Sequence, residues 1–273
     1  MPYVISVVNQ KGGVGKTTTT VNLAAALSEI GQSVLVVDFD PQMNSTQWML
    51  GRETAADEAS IFDSLLTVPQ DDADEYALSE LAEATGAGFD FVPSGADMIA
   101  NTFDSTIGRS GVYPNQLRIR LDELATDTRE HGVETPNGPY DVCLIDCPPS
   151  LGRSIMVALV ASSSLIVPVA ADGFSMQGLK QLLRTVREVR FNNDDLRILG
   201  ILANNLDLRS GLVKDMQDAL QDRYGDLMFE TSIPWRSKIN EVTTMGTYLQ
   251  EHAPSSDARR FYRRLAEEVV ERI

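Results

Sequence analysis

Short apolar runs alternate along the chain with stretches of helical spacing. Val4 to Val8 is apolar except for Ser6, the pattern of a strand covered on both faces. Thr17 to Leu27 then carries Val21, Leu23, Ala24 and Leu27 on one helical face. The strand pattern returns at Ser33 to Asp38, Phe89 to Pro93, Tyr140 to Asp146, Ser163 to Val169, Arg197 to Ala203 and Phe229 to Ile233. Helical spacing fills the intervals at Asn44 to Leu50 (Trp48 and Met49 inward), Ile61 to Leu66 and Leu117 to Glu130. It returns at Leu179 to Val189, Val213 to Tyr224 and a C-terminal helix at 257–272, whose apolar face reads as Phe261, Leu265 and Val269. Strand and helix in alternation predict an α/β fold, a mostly parallel twisted sheet flanked by helices, in a single domain over 1–273 with a variable acidic segment at 52–88.

The first strand-to-helix junction is Lys11-Gly12-Gly13-Val14-Gly15-Lys16-Thr17-Thr18. Consecutive backbone N–H groups enclose a phosphate only where no side chain crowds the concavity, and a helix beginning at Lys16 aims unpaired N–H groups at the same point. The stretch matches the phosphate-loop pattern G-x-x-x-x-G-K-[ST] except that Gln10 replaces the leading glycine. Lys16 offers the charge for a nucleotide's phosphates and Thr17 a hydroxyl for Mg²⁺. Lys11 stands at the other end of the loop. A loop this tight does not fold both ammonium groups onto one phosphate pair, so Lys11 is either a solvated charge or a group offered to another molecule's nucleotide.

With two lysines around these glycines, the chain resembles the deviant phosphate-loop (deviant Walker A) ATPases of the ParA-like chromosome and plasmid partitioning type. MinD-like proteins and nitrogenase iron protein are cousins of that group. The resemblance implies a P-loop NTPase fold, ATP and Mg²⁺ as cofactors, and a homodimer with ATP sandwiched between subunits, into which Lys11 reaches across. It also implies a phosphate cradle of Gly12, Gly13, Val14, Gly15, Lys16, Thr17 and Thr18. In Asp38-Phe39-Asp40-Pro41-Gln42 it gives Asp40 to the attacking water and the Mg²⁺ shell, while Asp38 either shares that role or holds the turn. Asp146 ends an apolar run as the Walker B acid, sharing Mg²⁺ with Thr17, and Pro148 to Gly152 resembles the second switch. Asn204 and Pro234 are placed beside the adenine. The implied partners are a ParB-like adaptor that stimulates hydrolysis and non-specific double-stranded DNA, with no membrane; the expected location is cytoplasmic and nucleoid-associated. No helix-turn-helix segment precedes the loop, which matches the short, Soj-like form. The alternative is a membrane- or protein-positioning ATPase of the MinD-like type without DNA binding.

Composition complicates the DNA partner. There are 39 acidic residues against 23 basic ones, with 23 aspartates and five lysines, for a net charge of -16. Such a surface repels nucleic acid at long range, unless basic residues are gathered locally. Arg184, Arg187, Arg190, Arg209, Arg236, Arg259, Arg260, Arg263 and Arg264 are the candidates, and a solvated helix face explains the stripe at Lys180, Arg184, Arg187 and Arg190 equally well. Acidic, lysine-poor surfaces also suit a cytoplasm of molar salt, which screens the repulsion, and a halophilic origin is the expectation. Cys143 and Cys147 form neither a CxxC pair nor a disulfide framework, and no histidine neighbours Cys147 to make it a nucleophile. No apolar run has the length of a membrane span, and the last eight residues carry three acids, unlike a basic membrane-binding tail.

Overall fold

A computed structural model describes residues 1–55, 58–66, 76–95, 103, 105–107, 114–132, 135–149, 152–170, 175–207 and 211–273. Eight strands form one sheet: β1 (Tyr3–Val7), β2 (Val34–Asp38), β3 (Glu83–Ala84), β4 (Asp90–Val92), β5 (Val142–Asp146), β6 (Ser164–Ala170), β7 (Arg197–Leu206) and β8 (Ile233–Pro234). Their order is β3-β4-β2-β5-β1-β6-β7-β8, parallel except for the short edge strand β3.

Successive strand residues alternate between two helical layers, as pleating requires. Val4, Leu35, Val37, Cys143 and Ile145 face one core. There they meet α3 (Ile61–Leu66), α5 (Gln116–Thr126), α6 (Arg153–Ala161), α7 (Ser175–Val189) and α8 (Gly211–Tyr224), with α4 (Leu78–Leu81) at the margin. Ile5, Val7, Val34, Val36, Val142 and Leu144 face the other, packed by α1 (Lys16–Glu29), α2 (Asn44–Leu50), α9 (Ser237–Met245), α10 (Leu249–His252) and α11 (Asp257–Arg272). With both faces covered, the central strands can be continuously apolar, which is why they were readable in the sequence.

Four features differ from the sequence expectation. The seventh strand runs on past Ala203 to Leu206, because Asn204 continues the ladder opposite Ala170; the chain bends only at Asn205, whose φ of 55° shifts the pairing with β8. Phe229 to Thr231 is not strand: the N–H groups of Glu230 and Thr231 donate to the Glu268 carboxylate on α11 at 2.8 and 3.0 Å. The apolar face of α11 centres on Tyr262, Leu265 and Val269, all fully buried, while Phe261 is half-buried with the Arg236 guanidinium 5.5 Å from its ring. Helix α5 ends at Thr126 and continues as a π turn over Asp127–His131. The acidic run 71–75 and the glycines at 108 and 111 lie outside the described residues. No described helix is long and apolar enough to cross a membrane.

Candidate functional site

The loops that follow β1, β2 and β5 emerge side by side at the carboxyl edge of the sheet, where open α/β sheets bind ligands. The first holds the two lysines. Gly13 (φ 74°) and Gly15 (φ 86°) adopt left-handed backbone, and Gly15 is the residue from which α1 starts. A Cβ on Gly15 would also collide with the Asn204 amide, whose Nδ2 donates to the Val14 carbonyl at 2.8 Å. Asn9 fixes the other end of the loop: its Nδ2 donates to the Pro168 carbonyl at 2.7 Å and its Oδ1 accepts from the Lys11 N–H at 3.0 Å. Lys16 is 8% exposed, and its Nζ lies 3.3 Å from the Lys11 carbonyl oxygen. Burial lowers the Lys16 pKa, while Asp146 and Asp40 act in the opposite sense. Lys11 is half-buried at the loop's far end.

Asp38 and Asp146 end neighbouring strands in register, and both are fully buried. Asp38 accepts from the Asp40 N–H (3.0 Å), the Thr46 N–H (2.9 Å) and the Thr46 hydroxyl (2.7 Å). Asp146 accepts from the Ser45 hydroxyl at 3.0 Å, with Thr20 farther off at 3.5 Å, and the Thr17 side chain nearby favours its charged form. Burial pushes both carboxyl pKa values up, and the charge of Asp38 adds to the effect on Asp146. Asp40, 5% exposed, accepts the Gln42 N–H at 3.1 Å. Phe39 turns the other way, into a cluster with Phe62 and Phe103 at ring distances of 5.2 and 6.1 Å, which holds the loop from below. A buried carboxylate beside a hydroxyl, with a second carboxylate raising its proton affinity, is a donor set that a hard divalent cation suits. Among the described residues no three His, Cys, Asp or Glu side chains group as a metal cage, so such a cation would take its remaining ligands from water and phosphate.

Two cavities flank the glycine loop. The larger, about 660 Å³, is lined on one side by Gly12 to Thr18 residues, Asp40 and Pro149 and on the other by Trp48, Thr243, Thr244, Met245 and Gly246. The smaller, about 130 Å³, brings Asn204 and Pro234 together with Thr18, Arg236, Ile239 and Asn240. The phosphate-loop residues and the two base-side residues named from sequence thus lie around one continuous loop. The Asn204 Nδ2 spends one of its two hydrogens on Val14, which leaves the second hydrogen and the amide oxygen for other partners.

A family model described as an AAA domain matches residues 3–198. The chromosome-partitioning ATPase Soj of Thermus thermophilus is 36% identical over 270 residues, covering 98% of this chain and 96% of its own length. The chain belongs to the ParA-like, Soj-type partitioning ATPases. Among solved structures, cobyrinic acid a,c-diamide synthase from Mycobacterium smegmatis with bound ATP analog and magnesium is similar at a TM-score of 0.78 and 28% identity. That match covers 99% of this chain and 95% of the other. The septum site-determining protein MinD from Pyrococcus horikoshii, complexed with Mg-ADP, follows at 0.73 and 26%, covering 98% and 96%. Proteins with different roles share the fold, so the fold alone does not choose among them.

Within this Soj-type chain the candidate DNA-contacting arginines are not one patch. Arg259 and Arg263 both reach Glu29 at 2.7 Å, and Arg236 pairs with Asp257 at 2.7 Å. The Arg190 Nε donates to the Leu196 carbonyl. Arg184 is 81% exposed, with Glu188 3.5 Å away, and Arg187, Arg260 and Arg264 are exposed. Arg209 lies outside the described residues, as do positions 150 and 151 of the second-switch stretch. Sequence reasoning missed Ser45 and Thr46 as carboxylate partners, and missed α9, which lines both cavities. The signals were Ile239 and Val242 at helical spacing, with Gly246 just past the end.

Proposed function

We propose that this chain is an ATP-timed dimer switch with slow, Mg²⁺-dependent ATP hydrolysis, which binds DNA non-specifically as the ATP-bound dimer and acts in chromosome or plasmid partitioning. The observation that carries the reading is the division of labour in one loop: Lys16 is buried under its own cavity, while Lys11, pinned through its backbone to Asn9, occupies the opposite end. A site that already holds its lysine leaves the second one to a neighbouring copy.

In this reading the Gly12–Thr18 backbone and Lys16 hold the phosphates, and Thr17 with Asp146 holds Mg²⁺, which neutralises charge on the phosphate oxygens. Asp40 orients the attacking water and contributes to the Mg²⁺ shell. Lys11 of the partner stabilises the charge that develops as the terminal phosphate leaves. Hydrolysis removes the group both subunits hold, so the dimer ends with the reaction. Asn204 and Pro234 flank the adenine.

Membership of the Soj-type family supports the partitioning role and a cytoplasmic, nucleoid-associated location, with a ParB-like adaptor as the hydrolysis stimulator. The net charge of -16 favours a halophilic setting in which a local arginine patch acts under screening. Arg184 and Arg187 on α7, or Arg260 and Arg264 on α11 in the opposite layer, fit that contact better than Arg236, Arg259 and Arg263, whose guanidinium groups are engaged by Asp257 and Glu29. The MinD likeness and the acidic surface favour the second reading, a positioning ATPase without DNA binding. DNA binding measured with ATP, with ADP and without nucleotide across a potassium chloride series separates them. Binding that needs ATP and is lost in R184A/R187A or R260A/R264A supports partitioning, whereas no binding at any salt supports the second reading.

A further inference from the structure

The carboxylate ends of β2 and β5 are not held by their own strands alone. Two consecutive side chains at the start of α2 hold them: Ser45 donates to Asp146 Oδ2 at 3.0 Å and also lies against Asp38, and Thr46 donates to Asp38 Oδ2 through both its hydroxyl (2.7 Å) and its N–H (2.9 Å). Ser45 and Thr46 are fully buried, so neither hydroxyl exchanges its bond for water. The turn that delivers them is unusual, because Met43 sits at φ 52° and ψ 29°, a left-handed conformation that a side chain such as methionine rarely adopts. That turn also contains Asp40, whose carboxylate accepts the Gln42 N–H and whose carbonyl accepts the Met43 N–H at 2.9 Å. The loop bearing Asp40 and the strand bearing Asp146 are therefore joined at a side chain by Ser45.

We propose that Ser45 is a positioning residue of the magnesium site: by holding Asp146 Oδ2 it fixes the carboxylate's orientation, with Oδ1 toward Thr20, and it makes an ordered α2 start a condition for tight metal binding. The inference rests on the reading of Asp146 and Thr17 as the magnesium pair. A hydroxyl bond to a ligating carboxylate fixes its orientation and is worth about 10- to 100-fold in metal affinity where such outer partners have been removed. Thr46 and Asp38 anchor the same turn from the neighbouring strand, so Ser45 is presented on a fixed base.

The test uses Mn²⁺ as a paramagnetic probe, titrated by electron paramagnetic resonance into the full chain with saturating ADP, for wild type, S45A, S45T and D146N. Thermal midpoints and ADP affinity in a chelator are measured alongside. The expected result is roughly tenfold weaker Mn²⁺ binding in S45A, with metal-free ADP affinity and thermal midpoint close to wild type, and recovery in S45T. D146N binds Mn²⁺ more weakly than S45A. Wild-type Mn²⁺ affinity in S45A beside a D146N that has lost it overturns the role of Ser45 while leaving the Asp146 reading intact. Wild-type affinity in D146N overturns both. Loss in S45A that S45T does not restore, with the fold unchanged, also overturns the positioning role.

Discussion

Trp48 donates its indole N–H to the carbonyl of Thr247 at 2.7 Å, which ties α2, two residues after Thr46, to the turn between α9 and α10. Helix α9 lines the smaller cavity with Ile239 and Asn240 and the larger with Thr243 to Met245, so this bond joins the Asp40 loop to an element that both cavities share. Binding of Mg-ATP is expected to shift Trp48 emission in a W235F background, Trp235 being the exposed second tryptophan. Trp48→Phe, which removes the N–H and leaves a smaller ring in a buried place, should cost about 1–3 kcal/mol of stability and slow turnover several-fold while leaving ATP affinity nearly unchanged. Denaturant unfolding and steady-state kinetics check both parts.

Gly15 is constrained twice, by its left-handed backbone and by the Asn204 amide beside it. Gly15→Ala should therefore abolish measurable nucleotide binding, since backbone strain of about 1–2 kcal/mol is joined by loss of the Asn204 to Val14 bond that shapes the loop. Asn204→Ala should weaken ATP binding less, roughly tenfold, because only one buried hydrogen bond and one base contact go. Equilibrium binding of a fluorescent ATP analogue ranks the two, and the reverse order contradicts the assignment.

How far the sequence carried these conclusions differs by residue. Val4 to Val8 and Tyr140 to Asp146 were legible because strands buried on both faces are almost wholly apolar, broken here only by Ser6, Asp141 and the terminal Asp146, and the glycine loop because its backbone geometry demands specific residue types. Ser45 and Thr46 were silent, since a serine and a threonine at a helix start are commonplace and only the folded register brings them to carboxylates on two different strands. Phe229 to Thr231 has the composition of a strand, yet only the Phe229 N–H reaches β7, at the Ile201 carbonyl, while those of Glu230 and Thr231 go to Glu268, a residue 38 and 37 positions away that no local pattern reveals. The arginines were legible as a count. Which of them are engaged by Glu29 or Asp257 depended on helix packing.

Cys143 and Cys147 are fully buried, and desolvation pushes both thiols up to about 12 from 9.0. Burial opposes the thiolate, so below pH 9 the folded and unfolded chains carry the same thiol protons and stability is unaffected. Between pH 9 and 12 the unfolded thiols ionise first, and stability falls as pH rises. Neither cysteine should react with an aromatic disulfide reagent at pH 8 until the protein unfolds, and the urea midpoint should drop above pH 9. In C143A/C147A that part of the drop should vanish.

The acid excess sets the salt response. With 39 acidic and 23 basic residues the folded chain repels itself at low ionic strength, and molar potassium chloride reduces the screening length to about 3 Å. Stability should rise from dilute buffer to molar salt, read as a higher thermal midpoint. An unchanged or lower midpoint would remove the halophilic assignment.

The claim that Lys11 completes a second copy's site has a direct test by mixing. Lys11→Ala removes the donated lysine and Asp40→Ala the water-orienting carboxylate, so each variant alone should lose at least about 100-fold of its DNA- and adaptor-stimulated ATPase rate. In a mixed dimer the Asp40→Ala subunit still offers Lys11 to the intact site of its partner. An equimolar mixture should recover roughly a quarter of the wild-type rate, since half of randomly paired two-fold dimers are mixed and each has one working site. A mixture no faster than the two variants separately, or a Lys11→Ala protein that hydrolyses ATP at the wild-type rate, would contradict the account.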